Sequence, residues 1–249
     1  GISALLLFAL PALVITRWGF PGLLITLIAL FLIASPFIFK VPSHGQKQEA
    51  IESGTATSIH SAMVFAALLG LLLFFGGIAG IWAFMERFAS QGGIDRTIAG
   101  QLLAVGVVSS AVGPVFPAVF GDRFGRVLPL ILTAVVVILC LLILATPLTV
   151  WKYGLILVFL PAAWYAGMAY QMGIIAETDV TGRFSVLMSA ALGIGATLGP
   201  ALLGIIKSSA GLPVALVFAG VVTVGGALTS IGVVRNLDRT EMQSQRARR

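Results

Sequence analysis

Val127 to Trp151 reads VLPLILTAVVVILCLLILATPLTVW, 25 residues without a charge. About 20 apolar residues suffice to cross the ~30 Å hydrocarbon of a bilayer as a helix. The run is apolar on all sides, so it has neither the polar stripe of a water-facing helix nor the alternation of a barrel strand. Outward from it, charged residues mark off seven further runs: Gly1 to Thr16, Trp18 to Phe39, Ser61 to Met85, Thr97 to Gly121, Tyr153 to Ala176, Phe184 to Ile206 and Ser208 to Val234. Eight runs predict an all-α polytopic membrane protein. Gly1 falls inside apolar sequence, which predicts that the first span is truncated.

Composition points the same way. The 249 residues are 59% hydrophobic and 10% charged, whereas soluble domains carry about 25% charged residues. The single cysteine, Cys140, excludes a disulfide framework or a cysteine zinc site within the chain. The net charge of +6 is scattered and has no aromatic-interleaved basic block, so no nucleic-acid partner is expected. Counted by loop, Lys40, Lys47, Arg123, Arg126, Arg183, Arg235, Arg239, Arg246, Arg248 and Arg249 lie on one side, and Arg17, Arg87, Arg96, Lys152 and Lys207 on the other. The positive-inside rule then puts the first set in the cytoplasm. Residues 1–39 form two spans, 40–60 a polar cytoplasmic linker, 61–234 six spans and 235–249 a basic cytoplasmic tail.

Gly113-Pro114 in the second of the six spans and Gly199-Pro200 in the fifth suggest an internal repeat of three helices. Units related in this way cross the membrane in opposite directions, as inverted repeats do. Gly195, Gly199 and Gly204 place small residues where helices can approach closely, and the two prolines can bend their helices.

The connection after the second of the six spans reads Gly121-Asp122-Arg123-Phe124-Gly125-Arg126. A tight turn there needs positive φ, which Gly121 or Gly125 can supply, and both arginines can pair with acceptors on a neighbouring helix end. This connection resembles the G-x-x-x-D-R-x-G-R-R loop of the major facilitator superfamily, with Ala118 in place of the first glycine and Val127 in place of the last basic residue. The layout of two spans, a long linker and six spans resembles spans five to twelve of such a transporter. The resemblance implies that Gly121, Asp122, Arg123, Gly125 and Arg126 form an inner gate, that four N-terminal spans belong to the same protein, and that the first and fourth spans of the six line the substrate cavity.

Polar groups within spans are costly and mark candidate sites. Trp82 and Glu86, four residues apart, would share a helix face as an outer gate or a protonatable site; an interfacial Glu86 beside Arg87 with a belt tryptophan is the alternative. Trp164, Tyr165 and Gln171 offer aromatic and amide groups to an organic solute or to a packed neighbour. Gln101, Ser109 and Ser110 can add hydrogen bonds, although serines in such helices tend to bond their own backbone. Glu177, Asp179 and Arg183 read as a solvated loop cluster. No P-loop, metalloprotease motif or buried catalytic cluster is present, so neither ATP hydrolysis, a metal, a cofactor nor an enzymatic reaction is expected of this chain. The reading is a secondary transporter of a small organic solute, coupled to protons, in a bacterial inner membrane. A polytopic scaffold or receptor that moves no solute is the second reading.

Overall fold

The computed structural model describes residues 56–121, 123–179, 184 and 186–247, and nine positions between 18 and 32, with side-chain detail at 18–32 and 61–239. Most of the expected 1–39 spans and 40–60 linker, together with Asp122 and Arg183, lie outside the described residues. The chain divides into two compact units, Gly1–Ile51 and Glu52–Arg249. In the first, the described positions are mainly helical, and the Thr26 hydroxyl donates to the Gly22 carbonyl (2.8 Å).

The second unit consists of α1 (Ala56–Trp82), α2 (Met85–Gln91), α3 (Arg96–Val112), α4 (Val115–Phe120), α5 (Val127–Leu144), α6 (Val150–Thr178), α7 (Leu187–Ala210) and α8 (Leu212–Ala247). Among the described residues, six stretches are long and apolar enough to cross a membrane: Ser61–Gln91, Arg96–Phe120, Val127–Leu144, Val150–Thr178, Leu187–Ala210 and Leu212–Arg239. Helix is the form such sequence takes, because hydrocarbon offers no partner to an open N–H or C=O. These helices mark the chain as an integral membrane protein.

Two of the expected spans are broken. The first stops at Trp82, where the Phe84 N–H reaches back only to the Ile81 carbonyl (3.0 Å), and resumes as α2. The second stops at Gly113-Pro114 and resumes as α4. The tail differs in the other direction: α8 runs on to Ala247, since Leu237 to Ala247 contains neither glycine nor proline and is rich in helix formers. Asp95 caps α3 by accepting the N–H groups of Thr97 (2.8 Å) and Ile98 (3.3 Å). The bonds from Ile98 and Thr97 hold its carboxyl below the usual range.

The packing pairs the spans as two exchanged threes. The opening helix α1 packs on α7 and α8, while α6, which opens the second three, packs on α3 and α5; α1 and α6 also touch one another. Side chains between them form one apolar cluster around Phe74, Ile78, Met85, Tyr153, Leu160 and Leu216 and another around Leu68, Leu71, Leu130, Ile174 and Ile231. Small residues set the closest approaches. Gly76 and Gly80 of α1 face Gly195 and Gly199 of α7 so closely that a Cβ on Gly199 would overlap the Gly76 carbonyl. A Cβ on Gly113 would lie 2.5 Å from the Ala162 carbonyl of α6.

Candidate functional site

The two opening helices meet through aromatic rings. Trp164 of α6 lies with its ring centroid 5.0 Å from Phe75 and 6.4 Å from Trp82 of α1, and 5.3 Å from Tyr165. Trp164 is buried, while Phe75, Trp82 and Tyr165 are half-buried. Seven residues along α6, Gln171 is buried and its Oε1 accepts the Ser230 hydroxyl of α8 (3.1 Å). Ser230 also bonds the Gly226 carbonyl (3.2 Å). This polar pair sits at the seam between the two apolar clusters. Two donors there are unspent: among the described residues neither the Trp164 Nε1 nor the Gln171 Nε2 has a partner, although both are buried. Dry interiors rarely leave donors unmatched.

The seven-residue spacing puts Trp164 and Gln171 on one side of α6, but they meet different helices of the same unit, Trp164 the rings of α1 and Gln171 the hydroxyl of Ser230 on α8. Gln101 is exposed on α3. Ser110 bonds its own backbone at Val107, but Ser109 donates across to the Val158 carbonyl of α6, tying α3 to α6 in place of the expected local bond.

Trp82 and Glu86 do not share a helix face, because the turn at Ala83-Phe84 separates them. Three contacts lie at the turn. The Tyr153 hydroxyl donates to the Met85 carbonyl (3.2 Å), Lys207 of α7 places its Nζ 5.1 Å and 4.7 Å from the ring centroids of Phe84 and Phe88, and Glu86 stands 3.6 Å from Arg96 of α3. A lysine over aromatic faces at this range is a cation–π contact. Lys207 is legible in sequence only as a topological charge. Its aromatic partners lie more than a hundred residues away and no local pattern joins them.

At the opposite end, Gly121 and Gly125 both take positive φ, +51° and +65°. The turn carries Arg126 back to α6, where its Nη1 donates to Glu177 Oε2. Asp179 is buried and accepts the Phe184 N–H (2.8 Å), so it is a structural cap of the α6–α7 connection instead of a solvated charge. Arg123 is exposed. The two Gly-Pro pairs fall at the helix approaches already described, Gly113-Pro114 against α6 and Gly199-Pro200 against α1.

No family model, no curated protein and no solved structure matches the chain.

Proposed function

We propose that this chain carries spans five to twelve of a secondary active transporter of the major facilitator type, moving a small organic solute by alternating access coupled to protons. In this reading the protein sits in a bacterial inner membrane with residues 40–60, the 121–126 connection and the end of α8 in the cytoplasm. The supporting observation is the exchanged packing of six spans as two threes. The middle helices of both threes are equally bare: few residues of Arg96–Phe120 and of Leu187–Ala210 are buried within the unit, whereas most of Ser61–Gln91 is. Two equivalent uncovered helices flanking α1 and α6 suit a second half that rocks against them.

Within that mechanism, Phe75, Trp82 and Tyr165 offer a half-exposed aromatic face to the solute, and the spare donors of Trp164 and Gln171 lie behind it. Arg126 with Glu177, and Asp122 with Arg123, would latch the cytoplasmic side. Lys207 on Phe84 and Phe88, with Glu86 near Arg96, would hold α2 on the other side. One observation favours a non-transporting scaffold: Gln171 and Trp164 are engaged in helix packing.

The test uses the complete protein with Cys140→Ser and single cysteines at Tyr165 or Gln101, reconstituted in vesicles under an imposed proton gradient. A membrane-impermeant maleimide should label each site from one side at rest, with labelling falling when the gradient is applied. Asp122→Asn should change that response while leaving membrane insertion intact. Gradient-independent labelling at both sites, with no uphill uptake of sugars, organic acids, amino acids or organic cations, would leave the scaffold reading.

A further inference from the structure

A cleft of about 450 Å³ opens between α4, α5 and α6, and none of the aromatic-face residues Phe75, Trp82, Trp164 and Tyr165 lines it. Phe116, Phe120 and Phe124 form one wall, four residues apart, with successive centroids 6.2 Å and 5.9 Å apart. Its floor is the small-residue face of α6 at Ala162, Ala163 and Ala166, and its other wall is α5 at Leu128, Leu132 and Val136. The cleft lies beyond the break at Gly113-Pro114, and α4, which forms part of its wall, buries none of its own side chains.

The dimensions are those of a lipid chain. Leu128 to Val136 on α5 spans eight residues, about 12 Å at helical rise, and Phe159 to Tyr170 on α6 about 16 Å. Half of a bilayer's hydrocarbon is about 15 Å. With α5 crossing the bilayer from Val127 to Leu144, the cleft would run from the membrane surface to mid-membrane on the side of the 121–126 connection. Its mouth is flanked by Phe124 and Leu128, next to Arg123, whose N–H bonds the carbonyl of Phe120 in the cleft wall (3.1 Å). Arg126 is taken up by Glu177, whereas the Arg123 side chain is exposed. An arginine at a membrane surface favours phosphate.

We infer that this cleft binds one phospholipid, its acyl chain along the phenylalanine wall and its phosphate on Arg123. The inference rests on the membrane location of the helices; it draws on Arg123, which the proposed latch pairs with Asp122, so lipid phosphate and latch would compete for one guanidinium.

The experiment uses the complete protein in vesicles containing a trace lipid with a diazirine in one acyl chain, supplied as phosphatidylglycerol, phosphatidylcholine or diacylglycerol with the same chains. Labelling at residues 115–136 is normalised to labelling of the exposed α8 positions Val217, Val221 and Leu228. Both phospholipids should label the cleft about fivefold more than diacylglycerol, the weight of one phosphate hydrogen bond to Arg123. Arg123→Gln should bring them down to the diacylglycerol level, and Arg123→Lys should keep most of the preference. Leu132→Trp, at a half-exposed wall position, should fill the cleft and lower all three without changing α8 labelling. Equal labelling by diacylglycerol and phospholipid, or a phospholipid preference that survives Arg123→Gln, would overturn the proposal.

Discussion

Gly113-Pro114 and Gly199-Pro200 occupy matching places in the two threes, yet the first ends a helix and the second lies inside one. Both glycines press on a neighbouring backbone, Gly113 on α6 and Gly199 on α1. The difference lies in the next turn of chain after each proline. Beyond Pro200 the chain has a destination: Leu203 is buried, Gly204 meets Phe84, and Lys207 reaches two aromatic rings. Beyond Pro114, α4 buries nothing. Proline removes one backbone hydrogen bond and crowds the preceding turn in either place. Whether the helix survives depends on the packing available to the residues after it.

The largest effect that could break this comparison comes from the glycines. Gly199→Leu should force α1 and α7 apart and destabilise the protein by about 3 kcal/mol, the upper range for overpacking. Gly193→Leu on the same helix should be near neutral, since nothing lies within 4 Å of a Cβ there. Gly113→Leu should cost less than Gly199→Leu, because α4 is unburied and can yield. Unfolding in mixed micelles measures all three. A Gly113 variant as costly as the Gly199 one would show that α4 is clamped too.

Next come the prolines. Pro114→Ala should let α3 continue through Phe120, so amide exchange over Val115–Phe120 slows several-fold and the phenylalanine cleft narrows. Pro200→Ala restores one hydrogen bond in a helix already continuous and should stabilise by about 1 kcal/mol, with little change in exchange pattern. Equal slowing at both sites would mean that proline alone, without its surroundings, sets the break.

Much of this architecture was legible in the sequence. Uncharged runs locate the six described spans because the bilayer makes an uncompensated charge expensive, and the Gly-Pro pairs and turn glycines mark where backbone is special. What the runs could not carry is pairing between distant positions. The turn after Trp82 depends on Tyr153 and Lys207, the burial of Asp179 on the chain's return at Phe184, and the bond from Ser109 on Val158. A serine's own carbonyl is always near, so local rules assign it there, and only the exchanged packing brings α6 within reach of α3. Glu177 as the partner of Arg126 is of the same kind: the turn predicts an acceptor but not which one.

A smaller effect sharpens the contrast between the two ends of the unit. Arg126 and Glu177 are partly exposed, with 21% and 49% of their side chains accessible, so their coupling should not exceed about 1 kcal/mol in a double-mutant cycle. Asp179 is buried and caps a connection through a backbone bond. Asp179→Ala should therefore cost more than Arg126→Gln, by about 1 kcal/mol. The reverse order would assign the anchoring of this end to the arginine turn.

The smallest expected effect is the most informative about function. Gln171 accepts one interhelical bond from Ser230, and its buried Nε2 has no partner among the described residues. Gln171→Leu loses a bond of about 0.6 kcal/mol, the average between membrane helices. It also removes an unmatched donor whose burial is itself unfavourable. Ser230 keeps its bond to Gly226. The sum should fall within about 1 kcal/mol of zero, on either side. If stability is unchanged while gradient-driven uptake or maleimide accessibility at Tyr165 is altered, the spare donor serves a state in which something else supplies its acceptor. If stability falls by several kcal/mol, Gln171 is a structural tie between α6 and α8, and the solute face reduces to Phe75, Trp82 and Tyr165.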